Sequence, residues 1–163
     1  MTMISMDHIV KVIREIDGYN ISQKEALCDN IYKLQPHIFQ TVINLTHSGI
    51  PLPKLDHLLH ILMVVHTAFE KQECIITQTI PLSEVEHAFV NLSSMLKYLE
   101  AEPDKSMWDL TITSYSEQEL LAFVSGYLRE KYIITEADED ALVVAMAKVI
   151  LDTYIQASKY ASS

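Results

Sequence analysis

Two short stretches of this chain hold residue types that could do chemistry. The first is IPLSEVEHAF, residues 80–89, in which Glu84 and His87 stand three apart. A helix presents a carboxylate and an imidazole at that spacing to one iron or manganese ion. A di-metal carboxylate bundle needs that pair on two helices, plus a Glu from each of two others. No second Glu-x-x-His or Asp-x-x-His occurs in the chain. Glu84 and Glu86 are therefore read as carboxylates of a helix's opening turn, where the positive end of the helix dipole favours them.

The second stretch is PKLDHLLHILMVVHTAFEKQE, residues 53–73, which holds three of the seven histidines. At about 100° per residue, Asp56, His57, His60, Thr67, Glu70 and Lys71 share one polar stripe, and the opposite arc is filled by Leu, Ile, Val, Ala and Phe. The width of that arc predicts a mostly buried helix, with His66 on the border between the faces. Asp56, His57 and His60 are the candidate site for a small ligand or a metal ion: imidazoles at i and i+3 reach one ion and a carboxylate beside them is a usual third ligand. Against this, the trio lies in the first turn after Pro53, where an acid and an i,i+4 histidine also form an ordinary surface pair. The expectation is a solvated face, with no metal or cofactor assigned.

Other chemistry is limited by what is missing. There is no Gly-x-Ser-x-Gly, and Gly18, Gly49 and Gly126 are too far apart for a Gly-x-Gly-x-x-Gly or Walker-type phosphate loop. The acidic run TEADED at 135–140 lacks the central Gly and closing Glu of a calcium loop and runs straight into apolar helix. Cys28 and Cys74 do not make a disulfide framework or a zinc spacing. The reading leans away from an enzyme.

The elements that carry these residues are legible from punctuation. Three glycines and five prolines in 163 residues supply few tight turns, so the elements must be long, and long elements are helices. Ser22 with Glu25, Ser83 with Glu86 and Ser116 with Glu119 fit the capping box; Thr135 with Asp138 is a variant of it. Pro36 and Pro53 suit helix starts and Pro103 a stop. The pattern predicts helices over 7–17, 22–35, 36–47, 53–73, 83–101, 116–131 and 135–160. CIITQTI at 74–80 and LTITSY at 110–115 read as extended linkers, and Trp108 pins the segment 102–116 to the core.

The resulting expectation is an all-α, single-domain compact bundle of six or seven helices over residues 1–163. The largely apolar C-terminal helix is its central element, with 53–73 and 83–101 as main packing partners. In ALVVAMAKVILDTYI only Lys148 and Asp152 are charged, four apart. An apolar surface that wide must be covered, by the rest of the domain or by a second subunit.

Composition sets the remaining expectations. A net charge of -10 argues against nucleic acid, because neutralising phosphates takes clustered Lys and Arg. Residues 84–163 carry 14 Asp and Glu against 6 Lys and Arg, so a basic protein partner would prefer that half. No apolar run approaches the roughly 20 residues that span a bilayer, and charges interrupt MTMISMDHIVKVIREID before any signal-like core forms. Together these point to a soluble, cytoplasmic, non-enzymatic interaction module that forms a homo-oligomer, with a ligand- or metal-binding bundle at Asp56, His57 and His60 as the alternative.

Overall fold

A computed structural model describes residues 4–71, 78–101, 117–131 and 138–161. These form seven α-helices: α1 (Met6–Asp17), α2 (Ile21–Leu34), α3 (Pro36–Ile43), α4 (Leu52–Glu70), α5 (Leu82–Ala101), α6 (Gln118–Lys131) and α7 (Asp138–Ala161), with a 3-10 turn at Asn44–Ser48 between α3 and α4. No described residue is in a strand. Among the described residues, no helix is long and apolar enough to cross a membrane.

Several helix starts use caps other than those the sequence suggested. Ser5 caps α1, its Oγ accepting from the His8 N–H at 3.2 Å. Helix α2 begins one residue earlier than expected, because Asn20 and Gln23 form the reciprocal box: the Gln23 N–H donates to Asn20 Oδ1 at 2.8 Å and the Asn20 N–H to Gln23 Oε1 at 2.9 Å. Ser22, expected as the cap, lies inside the first turn. In α5 the Pro81 carbonyl accepts from the Glu84 and Val85 N–H groups, so Ser83 too lies inside its helix. Ser116, Thr135, Trp108 and the run 110–115 fall outside the described residues.

The span expected at 36–47 divides in two. Pro36 starts α3 at a position where a missing N–H costs nothing. The chain then tightens into the 3-10 turn and leaves it through Gly49, whose φ of +87° is the left-handed conformation that favours glycine.

Helix α4 runs through the middle. From Ile61 to Phe69 nine consecutive residues are buried, so its whole circumference is covered over two and a half turns. It touches α1, α2, α3, α6 and α7. Helix α7 packs most extensively on α4 and α5, the two partners expected for it, and also on α6. Between Val143 and Ser158, only Val144 and Gln156 are exposed. The Lys148 ammonium donates to Asp152 at 2.7 Å, the i,i+4 pair anticipated from spacing. The apolar surface of α7 is thus covered within one chain. One continuous core joins buried residues of α1 through α7.

Two buried polar side chains tie distant segments to this core. Gln35, between α2 and α3, donates from Nε2 to the Gln78 carbonyl at 2.9 Å and accepts the Ile80 N–H on Oε1 at 2.7 Å. Its amide so replaces the strand-like partners that the segment before α5 would otherwise need. Glu117, just ahead of α6, accepts the Ile4 N–H on Oε2 at 2.9 Å. Both are almost wholly out of solvent.

Candidate functional site

His57 and His60 lie on one face of α4, as their spacing requires, and both meet Tyr127 of α6. The His57 Nδ1 and the Tyr127 hydroxyl are 2.8 Å apart, while the His60 ring stacks on the phenol at a centroid distance of 5.1 Å and an interplanar angle of 22°. Burial, with Asp17 adding a smaller effect, pushes the phenol up to about 12, so it keeps its proton. Asp56 stays exposed. The structure therefore brings the two histidines together on one aromatic ring. Among the described residues, no group of three or more His, Cys, Asp or Glu side chains is placed to hold a metal.

Glu84 is half-buried in the first turn of α5 and His87 is exposed. Cys28 is half-buried on α2, where burial, then Asp29 and Glu25, push its thiol up. A thiol so disfavoured as thiolate is a poor nucleophile.

A second histidine, His66, occupies a position the sequence marked only as a border. It is 6% exposed and faces Tyr154 of α7, whose hydroxyl lies 2.7 Å from Nδ1. The Tyr154 ring is wholly buried and packs tilted on Phe69 as well, at 5.8 Å. A buried phenol needs an acceptor, and Nδ1 supplies it, which leaves the ring proton on Nε2. Nε2 has no hydrogen-bond partner; the Glu70 carboxylate, one turn along, approaches to 3.6 Å. Desolvation holds His66 down at about 4, so the ring is neutral near pH 7. The sequence signal for this pair was present in outline: a histidine and a tyrosine, each on the most apolar helix of its half. No spacing rule joins residues 88 apart.

Glu70 also faces a cavity of about 570 Å³ between α2 and the C-terminal end of α4. Gln23, Ala26, Leu27 and Asn30 of α2 line one side and Thr67 and Glu70 of α4 the other; Tyr19 and Lys71 complete the lining. The Thr67 hydroxyl is buried and has no hydrogen-bond partner. Lys71 donates to Glu15, and the Tyr19 hydroxyl donates to the same carboxylate at 2.8 Å. Those two bonds hold Glu15 below the usual carboxylate range, Lys71 contributing most. No donor among the described residues lies within hydrogen-bond distance of the Glu70 carboxylate. The sequence placed Thr67, Glu70 and Lys71 on one stripe; it did not show that α2 would stand over them.

Compared with protein-family models, with curated proteins and with solved structures, the chain has no significant match.

Proposed function

We propose that this chain is a non-enzymatic helical interaction module that associates with a second copy of itself through the outer face of α2. The observation that carries the reading is how little of α2 the rest of the chain covers. Of its fourteen residues only Ile31 is buried. Ile21 is 76% exposed, and Tyr32 and Leu34 are exposed as well. At about 100° per residue, Ile21, Cys28 and Tyr32 fall on one stripe, with Leu34 on the other side of the helix. Large apolar side chains held on one exposed helix face are what a partner covers.

Charge favours a second copy at this face. The molecule carries -10, but α2 sets Lys24 and Lys33 against Glu25 and Asp29 and is neutral. Like-charged molecules meet with least repulsion where the local charge cancels. The half-buried Cys28, with its thiol pushed up by burial, suits a reduced cytoplasmic setting. A basic protein partner is a second reading, supported by the 14 acidic against 6 basic residues of 84–163.

The alternative of a bundle that binds a ligand or metal at Asp56, His57 and His60 has less support, since Tyr127 engages both rings and Asp56 is exposed.

Sedimentation velocity over a range of protein concentrations tests the proposal. The expected result is a concentration-dependent shift from monomer to dimer that Ile21→Asp abolishes without changing the helical circular dichroism. A strict monomer at every concentration, or a dimer indifferent to Ile21→Asp, sinks it.

A further inference from the structure

We infer that α4 and α5 open with two copies of one helical unit, and that the openings of the two copies are interchangeable. The inference does not depend on self-association. It also accounts for why the two stretches with residues suited to chemistry each hold an acid beside a histidine.

Residues 50–62 read IPLPKLDHLLHIL and residues 80–92 read IPLSEVEHAFVNL. Laid one on the other, they share the opening Ile-Pro-Leu, the histidine of His57 and His87, and the final leucine of Leu62 and Leu92. Leu55 against Val85 and Asp56 against Glu86 differ only in size. The fold repeats the match. Both helices begin at the leucine, Leu52 in α4 and Leu82 in α5. The Pro51 carbonyl accepts from the Lys54 and Leu55 N–H groups at 3.0 and 3.1 Å, and the Pro81 carbonyl from those of Glu84 and Val85 at 3.0 and 3.3 Å. Ile50 and Ile80 are each 3% exposed, Leu55 and Val85 are buried, and Asp56 and Glu86 face solvent. Both helices pack on α3 and on α7.

Good helix-starting chemistry alone does not produce this likeness. Proline stands just before each helix, at the place where Ser, Thr, Asp or Asn is favoured, and α4 has no side-chain cap. Leucine at the first helical position lies in solvent both times, so the core does not call for it. Features shared without a shared need point to one template used twice. Where the copies differ, burial supplies the reason. Ile61 is buried while its counterpart Asn91 is exposed, and Leu58 is buried while Ala88 is only partly so. Helix α4 runs through the core, whereas α5 keeps His87, Val90 and Asn91 in solvent. His57 meets Tyr127 and His87, at the same place in its copy, is exposed.

Residues 50–52 and 57 already match 80–82 and 87, so exchanging four residues swaps the whole opening. One variant of the full-length chain carries Pro53→Ser, Lys54→Glu, Leu55→Val and Asp56→Glu; a second carries Ser83→Pro, Glu84→Lys, Val85→Leu and Glu86→Asp; a third carries both sets. Thermal unfolding followed by circular dichroism is expected to give each variant one cooperative transition within about 5 °C of the unaltered chain, the scale of small packing changes in a domain of this size. An out-of-phase variant, Pro53→Leu, Lys54→Ser, Leu55→Glu and Asp56→Val, sets a carboxylate in the buried Leu55 position and lowers the midpoint by about 10 °C or more. A larger drop or a lost transition in any in-phase variant overturns the inference, and so does an out-of-phase variant as stable as the in-phase ones.

Discussion

Tyr154 of α7 and His66 of α4 meet across the most extensive helix interface of the described chain, hydroxyl to Nδ1 at 2.7 Å, with the phenol wholly buried. Each is the other's partner, so neither can be removed alone without stranding a polar atom in a dry place. His66→Leu and Tyr154→Phe each cost about 1–3 kcal/mol, the range for a buried group left unsatisfied. The double variant costs less than the sum of the two. Urea unfolding of all four proteins closes the cycle, and strict additivity would contradict the pairing.

The same histidine gives the fold a pH dependence of known sign. Its folded value of about 4 lies below the ordinary 6.5, so between these the unfolded chain binds the extra proton. Stability from this group is complete above pH 6.5 and is lost as pH falls through about 4. The full loss is about 3 kcal/mol, from about 1.4 kcal/mol per unit. Thermal unfolding from pH 7.5 to 4 reads it, and His66→Leu flattens the slope over that window.

Glu117 works in the opposite sense. Burial raises its carboxyl above the usual range despite the hydrogen bond from the Ile4 N–H. Stability from a raised carboxyl is full below its unfolded value and declines as pH climbs through the folded one. Glu117→Gln keeps an acceptor for Ile4 and removes the ionisation, so it is neutral or stabilising at pH 7. Glu117→Ala strands the Ile4 N–H and costs about 1–3 kcal/mol. Comparing the two variants at pH 7 and pH 4 separates the hydrogen bond from the charge.

Gln35 offers a sharper contrast, because it holds one donor and one acceptor at once. Gln35→Leu preserves volume but leaves the Ile80 N–H buried and unpaired, at a cost of about 1–3 kcal/mol. At pH 4 a protonated Gln35→Glu keeps the acceptor for Ile80 and a donor for the Gln78 carbonyl and recovers part of the loss, whereas at pH 7 its buried carboxylate faces that carbonyl and recovers none. Equal destabilisation by Leu and Glu at pH 4 would show that packing, not the amide, matters at this position.

These four side chains also mark where the sequence was readable. Helix count, order and approximate extent followed from Pro36, Pro53, the scarcity of glycine and the apolar periodicity of α4 and α7, because those signals act within a few residues of themselves. The sequence points to Ser22 with Glu25, whereas the neighbouring Asn20 with Gln23 forms the box; the register of α2 against α3 and α4 depends on packing that no local rule contains. Likewise Gln35 stands at the boundary between the spans 22–35 and 36–47, and Glu117 lies inside the Ser116–Glu119 box, with nothing local to mark either as a long-range tie. Their partners lie 43 to 113 positions away. The polar stripe of α4 and its border residue His66 are legible in the sequence, but their division between Tyr127, Tyr154 and the cavity required α6, α7 and α2 to be in place.

The unequal covering of α2 and α4 has a further consequence for how the molecule breathes. Amides within Ile61–Phe69 exchange with solvent only when the whole structure opens, whereas α2, secured by Ile31 and a few half-buried neighbours, detaches at far smaller cost. Deuterium therefore enters α2 well before it reaches the middle of α4.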